Sequence, residues 1–103
     1  MISNNTLICF DNILKTKKVT VIKGVVIDKI TKKPLINKPV ILVDKFNQEL
    51  DELKTNLNGE FSTVISPNTD GYLYIDIKGY LPRSVFIKKG QSSVYMSILL
   101  FKK

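Results

Sequence analysis

No stretch of this chain keeps apolar residues at helical spacing over three turns. They alternate with polar residues or cluster in short runs, and turn-forming residues separate the runs. Seven stretches fit strands: 19–28, 40–45, 51–55, 60–66, 72–78, 84–88 and 93–101. Between them stand Thr31-Lys32-Lys33-Pro34, Asn56-Leu57-Asn58-Gly59, the run from Ser66 to Gly71, Gly79-Tyr80-Leu81-Pro82 and Lys89-Gly90-Gln91. Short strands punctuated at this interval predict an all-β sandwich or barrel. Asn58-Gly59 is the clearest hairpin signal, because both residues tolerate the positive φ of a tight turn.

Proline fixes where one strand begins. In KITKKPLINKPVILV, residues 29–43, Pro34 and Pro39 have no N–H to give a sheet ladder, so they suit strand starts and edges. Pro39 stands directly before Val40-Ile41-Leu42-Val43, which places the lysines around it in exposed turn positions. The stretch reads as turn chemistry that launches a strand, not as a basic loop seeking a ligand.

The 103 residues suffice for one core and are too few for two. With 44% hydrophobic and 24% charged residues, the composition is that of a folded globular domain. No apolar run approaches the roughly 18 residues of a membrane span. The first residues, MISNNTLICF, lack a basic leader, a long apolar segment and a small-residue cleavage site, so no signal peptide is expected. The same gaps argue against Cys9 as a lipid anchor, and a single cysteine excludes an internal disulfide. Residues 1–18 are expected to form an N-terminal arm and residues 19–103 the domain.

The net charge of +7 is unevenly spread. Residues 1–45 carry nine lysines and three aspartates; residues 46–76 carry one lysine and six acids. Residues 77–103 carry five lysines and Arg83 with no acid. An acidic middle between two basic thirds suits contact with like subunits or with a charged protein surface. Nucleic acid is not the expected partner. Of the 16 basic residues 15 are lysine, whereas base readout and bidentate phosphate clamping lean on arginine.

Reaction chemistry finds little footing. The chain has no histidine, which removes Ser-His and Cys-His nucleophiles and the usual zinc sites. Asp51 and Glu52 are adjacent and point to opposite faces of a strand. Asn58, Glu60, Asn68 and Asp70 are a conceivable calcium-binding set, but their spacing matches no calcium loop. The glycines are dispersed and form no phosphate cradle. The expectation is therefore a protein that is not an enzyme, with no catalytic residue, metal or cofactor.

Read in order, several motifs resemble the carboxypeptidase regulatory-like domain. They begin with Ile22-Lys23-Gly24-Val25-Val26-Ile27-Asp28 and Thr31-Lys32-Lys33-Pro34-Leu35, and continue through Thr55-Asn56-Leu57-Asn58-Gly59-Glu60-Phe61. Leu73-Tyr74-Ile75-Asp76-Ile77-Lys78-Gly79-Tyr80 and a last strand over Val94–Leu100 complete the series. Lys33 replaces the family's usual glycine or acid, and Asn58 its usual aspartate; both substitutes suit turns. The resemblance implies a seven-stranded, immunoglobulin-like and prealbumin-like Greek-key β-sandwich. It also implies scaffolding or contact as the role, since these domains accompany carboxypeptidases, TonB-dependent receptors and adhesins. In that pattern Pro34, Pro39, Asn58, Gly59 and Gly79 serve as structural turn residues.

The same pattern points Ile22, Gly24 and Val26 into the core and leaves Val19, Val21, Val25 and Ile27 outward. Val40 and Leu42 go in; Ile41, Val43, Tyr72 and Tyr74 go out. A free monomer normally places polar residues at such sites. Either the arm itself covers them, through Ile2, Leu7, Phe10, Ile13 and Leu14, or they and the arm together form a contact surface for a neighbouring protein. With a start methionine, no export signal and one sandwich, the chain reads as self-contained. It is expected to be an auxiliary protein of a phage virion, such as a capsid decoration or tail-associated protein. Its basic thirds would meet an acidic surface on capsid subunits, with copies of itself as a further partner. The alternative is a ligand- or peptide-binding module of a larger envelope or secreted protein, of TonB-dependent-receptor or adhesin type.

Overall fold

The computed structural model describes residues 19–103. The arm over residues 1–18, with Ile2, Leu7, Phe10, Ile13 and Leu14, lies outside the described residues, as does Cys9. Seven strands follow in order: β1 (Thr20–Asp28), β2 (Pro39–Asp44), β3 (Glu49–Lys54), β4 (Glu60–Ile65), β5 (Gly71–Ile75), β6 (Arg83–Ile87) and β7 (Ser93–Leu100). They form two sheets, ordered β4-β1-β7 and β3-β2-β5-β6, with no helix among the described residues. β2–β3 and β5–β6 are hairpins within one sheet; every other connection crosses between sheets.

The alternation read in the sequence is what builds the core. Along β1 the inward residues Ile22 and Val26 are fully buried, while Val21, Val25 and Ile27 are half-buried on the outer face. Val40 and Leu42 of β2 face Leu73 and Ile75 of β5 in the same way, and Ile98 and Leu100 of β7 close the core beside β1. Each such side chain contributes about 1.5–3 kcal/mol on burial.

One expectation needs correction. Asn58-Gly59 does turn the chain, yet β3 and β4 do not pair as a hairpin: β3 pairs with β2, and β4 pairs with β1 in the other sheet. The turn is held by Asn56, whose Oδ1 accepts the N–H groups of Asn58 and Glu60, each at 2.9 Å. That bonding reverses the chain locally and says nothing about which sheet receives the next strand. β4 goes to β1 because Phe61 and Ile65 then close the core from the opposite layer.

The turn also locks the β1–β2 loop in place. Val26 N–H donates to the Gly59 carbonyl at 2.9 Å, and the Leu35 N–H donates to the Val26 carbonyl at 2.9 Å. Thr55, buried at the end of β3, donates its hydroxyl to the Leu35 carbonyl at 2.6 Å and accepts the Lys38 N–H at 2.9 Å. Gly59 has a φ of 74°, and a Cβ there would stand 2.6 Å from the Pro34 Cβ. Gly59→Ala therefore meets both left-handed backbone strain and overpacking, expected to cost about 2–4 kcal/mol in denaturant unfolding. A midpoint unchanged from the parent would contradict this packing.

Candidate functional site

The out-facing apolar residues do not form one surface. Val21, Val25 and Ile27 lie on the outside of the β4-β1-β7 sheet, with Val19 exposed just before β1, whereas Ile41, Val43, Tyr72 and Tyr74 lie on the outside of the opposite sheet. Strand alternation correctly told inside from outside, but it carries no label for which of two sheets a strand joins.

The second group is the more continuous. Cross-strand pairing sets Ile41 beside Tyr74, Val43 beside Tyr72, and Tyr72 beside Phe86 of β6. The Tyr72 and Phe86 rings sit 5.2 Å apart, tilted at 44°, a geometry worth about 0.5–1.5 kcal/mol beyond simple burial. Phe86 is 53% exposed and Tyr74 39% exposed, large apolar areas left facing water. Ile41, Val43, Tyr72 and Tyr74 floor an open groove of about 620 Å³, rimmed by Asp44, Lys45, Asn47 and Glu49. Glu52 lies opposite Ile41 on β3, and the Tyr74 hydroxyl donates to Asp76 at 3.4 Å. The rim is thus mainly acidic. Phe86 was not among the expected contact residues, although the alternation Ser84-Val85-Phe86-Ile87 already placed it opposite the buried Ile87.

On the other sheet, Lys23 stands exposed in the middle of β1's outer face, between half-buried Val21 and Val25. Tyr95, 70% exposed, lies beside Lys23 in the β1–β7 register. A charge at the centre makes this face a poorer apolar surface.

The most perturbed carboxylate is structural in its bonding. Asp28, buried at the end of β1, accepts the Tyr80 hydroxyl at 2.6 Å and the Ile30 and Thr31 N–H groups at 2.8 and 3.0 Å. Lys102 Nζ stands 3.8 Å away. The Tyr80 hydroxyl first, then the Thr31 N–H, hold its carboxyl at about 2; the Ile30 N–H and the Lys102 charge add to this, and burial opposes it. The same bond raises the Tyr80 hydroxyl above its ordinary range. Both carboxylate oxygens are engaged inside the fold, so the group is a clamp between the β1–β2 loop, Tyr80 and the C-terminal residues.

Other acids are likewise occupied or dispersed. Asp51 accepts the Thr63 hydroxyl at 2.6 Å across the two sheets, and Asp70 accepts the Lys89 N–H at 2.8 Å. Asn58 and Glu60 lie at one end of β4, Asn68 and Asp70 beyond the other, so these four do not converge. Among the described residues no three metal-ligating side chains cluster, and no helix is long and apolar enough to cross a membrane.

No family model matches the chain, and no curated protein does. Solved structures do. The shaft pilin SpaA of Lactobacillus rhamnosus GG matches with a TM-score of 0.68 at 13% identity, over 84% of this chain and 47% of that one. The Bacillus anthracis TIE protein matches with a TM-score of 0.65 at 14% identity, over 82% of this chain and 17% of that one. Catechol 1,2-dioxygenase from Acinetobacter sp. ADP1 matches with a TM-score of 0.64 at 10% identity, over 84% and 53%. The chain is a small immunoglobulin-like, prealbumin-like β-sandwich, and it spans about half or less of each of these proteins.

The dioxygenases overturn one expectation. The chain was expected not to be an enzyme, partly because its fold suggested scaffolding; the same sandwich occurs in catechol, hydroxyquinol and 3-chlorocatechol dioxygenases. At 7–11% identity the likeness carries the fold alone and assigns no activity. The exclusion does not stand.

Because Asp28 titrates lower in the fold than its ordinary value near 3.9, its contribution is complete above about pH 4. That contribution is lost as the pH falls towards about 2. Tyr80→Phe removes the largest cause, so acid unfolding followed by circular dichroism should begin earlier, its midpoint up by as much as about one pH unit. An unmoved midpoint would show that the clamp does not govern acid stability.

Proposed function

We propose that this chain is an interaction module of a larger protein assembly, docking through the outer face of the β3-β2-β5-β6 sheet. The observation that carries this is the apolar patch of Ile41, Val43, Tyr72, Tyr74 and Phe86, continuous across three neighbouring strands. Aromatic and β-branched residues in such a patch are what an interface core uses, and a polar rim is what surrounds one. The open groove favours a protein surface over a small ligand, which needs a concave site that encloses most of it. The mainly acidic rim favours a partner that is apolar at its centre and basic at its edge. This revises the earlier picture in which the chain's basic thirds met an acidic partner.

We also read the chain as a member of the carboxypeptidase regulatory-like group. Its ordered motifs coincide with β1, the β3–β4 turn, β5 and β7. Two settings for the module were expected, a virus particle and a larger envelope or secreted protein. Likeness to a shaft pilin and to the TIE protein, each longer than this chain, supports the second. The virion reading has no comparable support.

Oxidative footprinting of the chain in its native assembly and as the isolated protein tests the face. Tyr72, Tyr74 and Phe86 should be several-fold less labelled in the assembly, with Tyr95 on the opposite face little changed. Equal labelling of the three in both states would contradict docking through this sheet.

A further inference from the structure

The two long edges of the sandwich carry opposite charge. β3 and β4 are edge strands of their sheets and lie together, bridged by the Thr63–Asp51 hydrogen bond. They carry Glu49, Asp51, Glu52 and Glu60 against a single cation, Lys54. β6 and β7 form the opposite edge, where Arg83 Nη1 donates to the Leu99 carbonyl at 3.0 Å. Arg83 is the one charged residue within these two strands; Lys78 precedes β6, Lys88 and Lys89 follow it, and Lys102, beside Asp28, and Lys103 follow β7, with no acid from Ile77 on. Asp70, beside Lys89, offsets a part of that charge.

Strand directions make the two edges compatible. β7 runs parallel to β1 and β4 antiparallel to it, so β7 and β4 are antiparallel. β6 and β3 are antiparallel by the same chain of pairings through β5 and β2. A second copy set beside the first would place its β4 against β7 and its β3 against β6, both antiparallel. It must tilt by roughly 30° about the strand direction, because the three-stranded sheet is about 5 Å narrower than the four-stranded one across a gap of about 10 Å.

Backbone groups are placed for it. Val21 N–H donates to the Ser92 carbonyl and Lys29 N–H to the Leu100 carbonyl, so the even-numbered residues of β7 face β1. Ser93, Tyr95 and Ser97 then turn their N–H and C=O groups to the outer edge, where no strand among the described residues pairs with β7. Leu99 turns the same way, but its carbonyl already takes Arg83. The Val26–Gly59 bond likewise directs the backbone groups of Ser62 and Val64 of β4 outward, while those of Glu60 are taken by Asn56. β7 holds neither proline nor charge over its eight residues, the usual devices that block an edge. Symmetric pairing of two acidic or two basic edges would oppose like charges, which is unfavourable across strands.

We propose that copies of this chain associate head to tail, the acidic β3/β4 edge of one against the basic β6/β7 edge of the next. Both sheets continue through such a contact, and because it is heterologous it builds a ring where the rotation closes and an open filament where it does not, rather than an isologous dimer. This contact adjoins the docking face, since Phe86 lies on β6 and Glu49 and Glu52 stand at the rim of its groove. Self-association of the isolated chain needs no other partner, so it and the docking proposed above are tested separately.

Sedimentation velocity of the full chain tests it at about 0.1 M salt, where charges act over about 10 Å, and at about 1 M, where they act over about 3 Å. Concentration-dependent species larger than the monomer are expected at the lower salt and should dissolve at the higher. Glu49→Lys with Glu52→Lys makes both edges basic; Arg83→Glu with Lys88→Glu reverses the sign along β6. Each variant alone should associate at least about tenfold more weakly than the parent, and mixing the two should restore association. If a double variant fails to fold, Glu52→Lys and Lys88→Glu alone are read the same way. A parent monomeric at both salts, association untouched by either reversal, or folded variants that stay monomeric when mixed would each overturn the proposal.

Discussion

The parallel pairing of β1 with β7 is the constraint on which the rest of the structure depends. A parallel pair cannot be closed by a tight turn, so the remaining strands must be laid down between its two members. Here that connection is the whole second sheet together with β4. β1 is bonded along both edges, and its inner face supplies Ile22 and Val26 to the centre of the core. Asp28, where β1 ends, draws in Tyr80 and Lys102 and so joins the strand to the close of the chain.

Much of this was legible in the sequence because alternation is a local signal. Ile22 and Val26 inside with Val21, Val25 and Ile27 outside, or Leu42 inside with Val43 outside, follow from a period of two and are found as read. Pro39 before an apolar run and Gly59 in a turn were equally local. What could not be read was the partner of each strand. Asn58-Gly59 turns a chain in the same way whether the next strand stays or changes sheet, and that choice belongs to packing between residues distant in sequence. The same gap divided the expected contact residues between opposite faces, because outward from one sheet and outward from the other look identical in sequence. Asp28 was visible only as the end of a motif. An acid closing an apolar strand and followed by two free N–H groups is a signal of an anchored turn, but its tyrosine partner is 52 residues away.

Surface chemistry, more than any enclosed site, distinguishes this sandwich. One face is split by Lys23, the other presents a coherent apolar patch, and the edges differ in sign. Burying a standard interface of roughly 800 Å² per partner removes such a patch from water and exploits the tilted Tyr72–Phe86 pair. Fold likeness extends to pilins and to dioxygenases alike, so function has to be argued from these surfaces and not from the fold.

Docking through the β2-β5-β6 face is tested most directly by removing the patch while keeping the core. Tyr72→Ser combined with Phe86→Ser changes only outer-face side chains of paired strands. The measurement is the fraction of this variant retained in the native assembly beside the parent, with circular dichroism confirming the fold. Loss of retention by at least about tenfold in a folded variant is the expected result. Retention equal to the parent would contradict it.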